Sequence, residues 1–597
     1  MTKIFSFLGI ILLVSCNNNS SESTGKSGSP DTKLAAFFEQ YHEEFLKLSP
    51  LTATQEGDKR YNDLLPADFT DSYRDTLRNF YQRYLSQLSS VDTSGLSDGD
   101  KLSCAIFRYN MNTNLKALTF HDNYIPLNQF YGMQNTLGRF AGGTGAQPFK
   151  TVSDYDTWIK RVTAFGVWAD SAIIYFRKGM ESGIVLPKSL VVKIIPQMKA
   201  MVTSPNAFEK NLYYSPVAKM PATFSEADKK RLTEAYKKMV NENVAPVFAK
   251  LTDFFQKEYL PKARTSSGIG VIPAGKELYE YLVYQQTTTT KTPDEIYNTG
   301  LAEVKRIRGL MDSVKNAVGF KGDLPAFFEY MRTDKRFMPY TQPKEILDAF
   351  EAIHTRMEPH LKKMFNHVPK TKFEIRQTEA FRAASASAEY SPGTPDGSRP
   401  GIFYVPILDA TKFNTTSGME SLFLHEAIPG HHYQISLQQE DTSLPRFRRF
   451  FWQNAYVEGW ALYCESLGKE LGLFTDPYQY MGALGDEIHR AIRLVVDVAI
   501  HEKGMTREEA IKYMMDNEAI SEQGATAEIE RYMAIPGQAL GYKVGALKIR
   551  ELRAKAEQEL GDKFNIADFH DQILRDGSMP LDLLEQKINA WITKTKG

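Results

Sequence analysis

The apolar residues of this chain recur at intervals of three and four, the spacing of one helix face and not of a strand. Leu34, Phe37, Phe38, Tyr41 and Phe45 do so near the start, and Trp158, Val162, Phe165 and Trp168 do so within Tyr155 to Ser182. Alternating strand patterns are scarce, and no fixed-period repeat stands out. Helix starts are marked by two capping boxes, Thr292-Pro293-Asp294-Glu295 and Thr506-Arg507-Glu508-Glu509. In each, the hydroxyl and the carboxylate satisfy one another's free backbone N–H groups. The chain is therefore expected to be mainly α. Two segments interrupt it. Pro392, Gly393, Pro395, Gly397 and Pro400 exclude a helix, and Ile402 to Val405 is then a short β-prone run. Arg264 to Gly275 is a second break. It divides an N-terminal helical region, 31–270, from a C-terminal one, 271–597, the two sharing one body.

Composition removes several classes of partner. Lys and Arg number 72, as do Asp and Glu, so the chain carries no net field to hold nucleic acid. With 42% apolar residues over 597 positions it can bury a large core. Three cysteines are too few for a disulfide framework. Residues 1–16 read MTKIFSFLGIILLVSC. Lys3 precedes a largely apolar stretch of eleven residues, too short to span a bilayer. The ending Leu13-Val14-Ser15-Cys16 resembles a bacterial lipobox, which implies a signal peptide over 1–15 and a lipid on Cys16. Asn17 to Pro30 contains no apolar residue and reads as a flexible tether. The expected location is the bacterial cell envelope, periplasmic or cell-surface, with the membrane reached through the lipid alone.

The chemistry concentrates in Ser421 to Gln434, SLFLHEAIPGHHYQ. Three of the chain's 11 histidines fall there within eight positions, beside Glu426. Zinc peptidases carry H-E-x-x-H on a helix, where the two imidazoles share a face and the glutamate acts as general base on a metal-activated water. Here Pro429 occupies the place of the second histidine. On an unbroken helix His432 returns to within about 20° of His425, while His431 lies about 240° away. Pro429 and Gly430 should distort the helix, and that can swing His431 round instead. A third ligand is needed. Glu458 and Glu465, seven apart in YVEGWALYCE, share one face of a mostly apolar segment, and either could serve. Downstream, His489, Arg493, Asp497 and His501 recur every four residues in a largely apolar helix. That stripe is either a salt-bridge ladder or an active-site wall. As a wall, His501 would stabilise an oxyanion, Asp497 would orient a histidine, and Arg493 would hold Asp497 or a substrate carboxylate.

HEAIPGHHYQ followed by EGWALYCE resembles a large bacterial family known as a domain of unknown function, with the pattern H-E-x-x-P-G-H-x-x-Q, then E-G-W-A-x-Y. That family is in turn similar to the gluzincin zinc peptidases, in particular the mainly helical neurolysin and angiotensin-converting-enzyme branch. The resemblance implies a large helical body with a deep cleft and a small sheet edge near the site. It implies His425, His431 and Glu458 as ligands of one catalytic zinc ion and Glu426 as the base. His432 and Glu465 would support the ligands or touch substrate. Glu530 to Leu547 resembles the clan's tyrosine-bearing segment, so Tyr542, or else Tyr532, would hydrogen-bond the tetrahedral intermediate, with Arg531 touching substrate. Ile402 to Val405 would be an edge strand that pairs with the substrate backbone, and the turn bearing Arg399 would sit at the cleft rim. The activity implied is a zinc metallopeptidase acting on short peptides. Two other readings remain: a zinc hydrolase of a non-peptide amide or ester, and a non-catalytic peptide-binding surface lipoprotein.

Overall fold

The structure is a computed structural model that describes residues 31–143, 145–378, 387–394, 397 and 399–597. The expected signal peptide, the tether, Cys16, Asp396 and Ser398 lie outside the described residues. The fold is mainly α, running from a first helix, Thr32–Leu48, to a last, Leu581–Lys596. Among the described residues there is one sheet, of three strands. It is built from β1 (Phe373–Gln377), β2 (Glu389–Ser391) and β3 (Gly401–Val405), in the order β1-β3-β2. β1 runs parallel to β3 from Phe373↔Gly401 to Gln377↔Val405, and β2 is antiparallel to it with Tyr390 opposite Phe403. The expectation of an edge strand at Ile402 to Val405 is therefore corrected. That run is the central strand, buried at Ile402, Phe403 and Val405, and the edge belongs to β2. Ile402 and Phe403 point to opposite faces and both are buried, and a strand covered on both faces reads as a continuous apolar run.

Two apolar cores hold the body together. One joins Leu34, Phe38 and Phe107 to Trp460 and Leu584. The other joins Trp158, Phe165 and Tyr236 to Ile488 and Tyr532. Each core draws residues from both sides of position 270, so packing runs across that division. The helices that carry the site come from the second half. They are α1 (Pro293–Ala317), α2 (Met419–Glu426), α3 (His431–Glu440), α4 (Asn454–Ser466), α5 (Pro477–Glu502), α6 (Glu522–Ala534) and α7 (Leu540–Leu560). α5 lies between the cores, giving Leu494 and Val498 to one and Ile488, Ile492, Val495 and Ile500 to the other. It is buried on nearly every side, which is why its charged residues must find partners inside the protein.

α4 and α7 approach backbone to backbone. A Cβ at Gly545 would stand 1.8 Å from the Ala455 carbonyl oxygen and 2.8 Å from Gly459 Cα. Any side chain there must push apart the helix that bears Glu458. Gly545→Ala is expected to cost about 3 kcal/mol through overpacking. Gly309→Ala, exposed on α1 with nothing within 4 Å of the added Cβ, should be neutral or stabilise by about 0.5–1 kcal/mol. Urea denaturation followed by circular dichroism checks both, the first midpoint falling and the second holding or rising.

Candidate metal centre

α2 and α3 would be one helix but for residues 427–430. Ala427, at φ −103° and ψ −107°, leaves the helix, and Gly430, at ψ −128°, precedes the next one. The turn folds back on the end of α2 so tightly that a Cβ at Gly430 would lie 1.9 Å from the His425 carbonyl oxygen. Trp460 Nε1 on α4 donates to the Pro429 carbonyl at 2.8 Å and anchors the turn. The break changes which histidine faces back. The rings of His425 and His431 stand 4.8 Å apart and nearly perpendicular, at 89°. Glu458 Oε2 lies 3.6 Å from His425 Nε2 and 3.4 Å from His431 Nε2. One donor atom from each of the three residues falls within 4.8 Å of the others, and all three side chains are buried. Among the described residues no other group of three His, Cys, Asp or Glu side chains converges in this way. Two imidazole nitrogens and a carboxylate oxygen are the donor set of a divalent transition metal, and three protein ligands leave a fourth position open.

The other acids sit where they tune this group. Glu465 Oε1 meets His425 Nδ1 at 2.8 Å, behind the ring, and fixes its orientation and tautomer. Arg490 stands 3.7 Å from the same oxygen. Glu426, at the end of α2, accepts the backbone N–H of Tyr390 on β2 at 2.8 Å. Burial raises the Glu426 pKa above the ordinary carboxylate value, against the pull of His431 and His425. Burial opposes ionisation of Glu458 too, but hydrogen bonds from His425 and His431 outweigh it and hold that carboxyl well below the usual range. Burial likewise works against a charged His425, but Glu458 and Glu465 override it and raise its pKa to about 10. His432 does not reach the group. Its Nδ1 lies 3.0 Å from Tyr390 Oη, its ring packs 4.9 Å from Phe373, and burial lowers its pKa to about 4. Sequence reasoning missed Tyr390, whose backbone N–H serves Glu426 and whose phenol meets His432. Its segment was read only as a helix break, and no side-chain signal marks a backbone donor.

The centre opens on a cleft of about 870 Å³. Tyr542 lines it, its ring 6.4 Å from that of His425 and tilted by 15°. Trp452, half exposed, stands at the rim 6.3 Å from His431. Arg493 and Arg531 line the same cleft, whereas Met311, Phe328, Met331 and Met481 form an apolar portion of its wall. Tyr532 is buried behind that wall, donating to Glu528 at 2.5 Å and accepting from Arg493 Nε at 2.9 Å. Arg399 is exposed and donates to the Pro392 carbonyl at 2.9 Å, outside the cleft lining. Two expected roles are corrected. His501 is buried away from the cleft, with Ile269 N–H donating to its Nδ1 and its Nε2 bonded to the Tyr532 carbonyl. With both ring nitrogens spent and burial lowering its pKa to about 3, it has no donor left for an oxyanion. Asp497 orients no histidine. It accepts from Tyr279 Oη at 2.7 Å and from Gly537 N–H, and burial raises its pKa to about 7.

The state of His425 sets a pH dependence. Without metal its ring is protonated below about pH 10, and a metal ion needs the Nε2 lone pair. Binding must therefore eject about one proton at neutral pH, and apparent affinity should climb about tenfold per pH unit up to about pH 10 and then level. Calorimetric titration of zinc in buffers of different ionisation enthalpy measures the released proton directly.

The family described as "Bacterial protein of unknown function (DUF885)" matches residues 50–588. A crystal structure of a candidate lipoprotein from Colwellia psychrerythraea is 28% identical and covers 94% of this chain and 99% of its own, with a TM-score of 0.86. A candidate lipoprotein of unknown function from Shewanella oneidensis is 20% identical over 93% of this chain and 99% of its own, with a TM-score of 0.71. A Pyrococcus furiosus carboxypeptidase, 9% identical over 94% and 98%, has a TM-score of 0.39, too low for any inference. No curated protein sequence matches the chain.

Proposed function

This chain belongs to the DUF885 family, and from its buried His425, His431 and Glu458 we propose that it is a zinc-dependent metallopeptidase acting on short peptides at the bacterial cell envelope. The carrying observation is the convergence of those three donors with a half-buried carboxyl, Glu426, on the same cleft. A zinc ion in this set supplies Lewis acidity, which acidifies water and polarises a carbonyl. The rest falls to the protein's own groups. Glu426 takes the proton from the attacking water and returns it to the leaving amine. A carboxyl whose pKa is raised by burial suits both transfers, and the Tyr390 N–H fixes its position. Glu465 holds His425 in one orientation. Tyr542, beside the ligand ring, donates its phenol hydrogen bond to the carbonyl oxygen as charge develops there. The strand at the edge of the sheet is β2, and its Glu389 and Tyr390 line the cleft. The cleft volume suits a short segment of chain.

The envelope location rests on the lipobox at Cys16 and on relatives described as candidate lipoproteins. Among the described residues no helix is long and apolar enough to cross a membrane. The test is zinc-loaded protein against matched peptide, ester and non-peptide amide substrates. Peptide cleavage is expected, and Glu426→Gln should lower kcat by about 10²–10⁴-fold while zinc content stays at one equivalent. Glu458→Gln and His431→Ala should lose zinc, and Glu465→Gln should weaken it by about 10–100-fold. Undiminished turnover in Glu426→Gln, or zinc retained without both His431 and Glu458, would sink the reading.

A further inference from the structure

Of the five tryptophans, Trp158, Trp168 and Trp460 lie in the two cores at no more than 2% exposure, and Trp591 is half-buried. Trp452 is 51% exposed, although an indole is a large apolar surface that chains ordinarily cover. Its exposure does not come from a loose backbone. The Phe451 N–H donates to the Arg448 carbonyl at 3.1 Å, and buried Gln438 donates from Nε2 to the Phe451 carbonyl at 2.9 Å. On the other side, the Gln453 N–H donates to Ser578 Oγ at 3.0 Å and Gln453 Nε2 donates to the Gln285 carbonyl at 2.9 Å. The Gln453 carbonyl then accepts the N–H groups of Tyr456 and Val457 and so starts α4, the helix of Glu458. Both neighbours of Trp452 are pinned, while its ring stands out over the cleft. An aromatic side chain on a fixed backbone loses little conformational freedom when it binds.

The position of the ring relative to the metal group is a second observation. It stands 6.3 Å from the His431 ring and is tilted to it by 38°. That separation is less than two residues of extended chain, about 7 Å. A peptide backbone with a carbonyl at the ligand histidines therefore brings an adjoining side chain within reach of the indole. Ile435, one turn after His431 on α3, is half-buried and lines the same cleft, so the surroundings on that side include an aliphatic wall. Aromatic rings pair at centre distances of about 4.5–7 Å, tilted or offset, and the exposed half of the indole is open to such a partner.

We propose that Trp452 is the specificity-determining platform of this site, stacking on an aromatic or large apolar side chain in one of the two residues that adjoin the cleaved bond. This rests on the peptidase reading and narrows its substrate class to peptides cut beside such a residue. The face of an indole also attracts cations, and the probes separate the two chemistries. They are variants of one peptide, blocked at both ends, whose cleaved bond is located by mass spectrometry and whose residue on either side of it is in turn Phe, Lys or Ala. At one of the two positions Phe should raise kcat/KM about 10–100-fold above Ala. Trp452→Ala should bring that Phe-to-Ala ratio down to about one, and Trp452→Phe should keep a ratio well above it. A loss of folded protein or of zinc lowers both peptides alike and leaves the ratio where it was, so the ratio reads the platform alone. Equal cleavage of the Phe and Ala peptides at both positions would overturn the platform and leave the peptidase reading intact, as would a preference that survives in Trp452→Ala. A Lys peptide cleaved as well as the Phe peptide would overturn the apolar assignment. If zinc-loaded protein cleaves none of the peptides, the peptidase reading fails. Calorimetric binding then judges the platform: tighter binding of the Phe peptide than of the Ala peptide, lost in Trp452→Ala, supports it, and equal binding overturns it.

Discussion

The candidate metal centre depends on one close backbone approach. Gly430 lets the 427–430 turn lie against the His425 and Leu424 carbonyls, at distances no side chain could share. The Trp460–Pro429 hydrogen bond ties that turn to α4. The same helix supplies Glu458, two residues before Trp460, so the clamp and the third donor are one rigid unit. α4 is in turn set by its glycine contact with α7, which carries Tyr542. The relative placement of His431, Glu458 and Tyr542 thus follows from backbone packing and not from the flexible reach of side chains.

Buried charge is the second constraint, and the protein meets it by pairing. Every acid near the centre has a donor: Glu458 has two imidazoles, Glu465 has His425, Glu426 has a strand N–H, and Asp497 has Tyr279 and Gly537. Removing one partner of such a pair strands the other in a medium of low polarity, which costs far more than the pair contributes. The α5 stripe shows the two ways of meeting that demand. Asp497 and His501 are satisfied wholly within the core, whereas His489 meets Glu518 and Arg493 meets Glu528 at the cleft. Residues of one helix face thus separate into structural and cleft-facing halves, because α5 passes from the cleft into the space between the two cores.

Much of this was legible from local pattern. Helical periodicity fixes the class of fold, since an apolar face every three to four residues can be buried only as a helix. Both capping boxes form as written, with Thr292 and Thr506 accepting from Glu295 and Glu509. The candidate donors are also visible, because a histidine cluster beside a glutamate in a nearly neutral chain has few other uses. What stayed open in the local pattern was geometry. The angular arithmetic of an ideal helix favours His432, and it fails because Pro429 and Gly430 end the helix, a break whose direction local pattern does not encode. The edge of the sheet was misassigned because a short β-prone run carries no record of its neighbours. The role expected for His501 failed for a similar reason: sequence spacing shows that it shares a face with Arg493, but not that Ile269 and Tyr532 occupy both its nitrogens.

Local sequence therefore specified the elements and the inventory: helices, caps, a lipobox-like start, and three histidines and two acids as candidate metal ligands. Tertiary structure decided the selection. It chose Glu458 over Glu465 to face both histidines, put Glu465 behind His425, and brought a strand N–H from position 390 to Glu426. It also gathered the cations of α5 and α6 into one wall of the cleft. Periodicity and capping act over one or two turns and can be read along the chain. Which buried charge meets which partner depends on contacts between segments tens of residues apart, and only the packed backbone sets those distances.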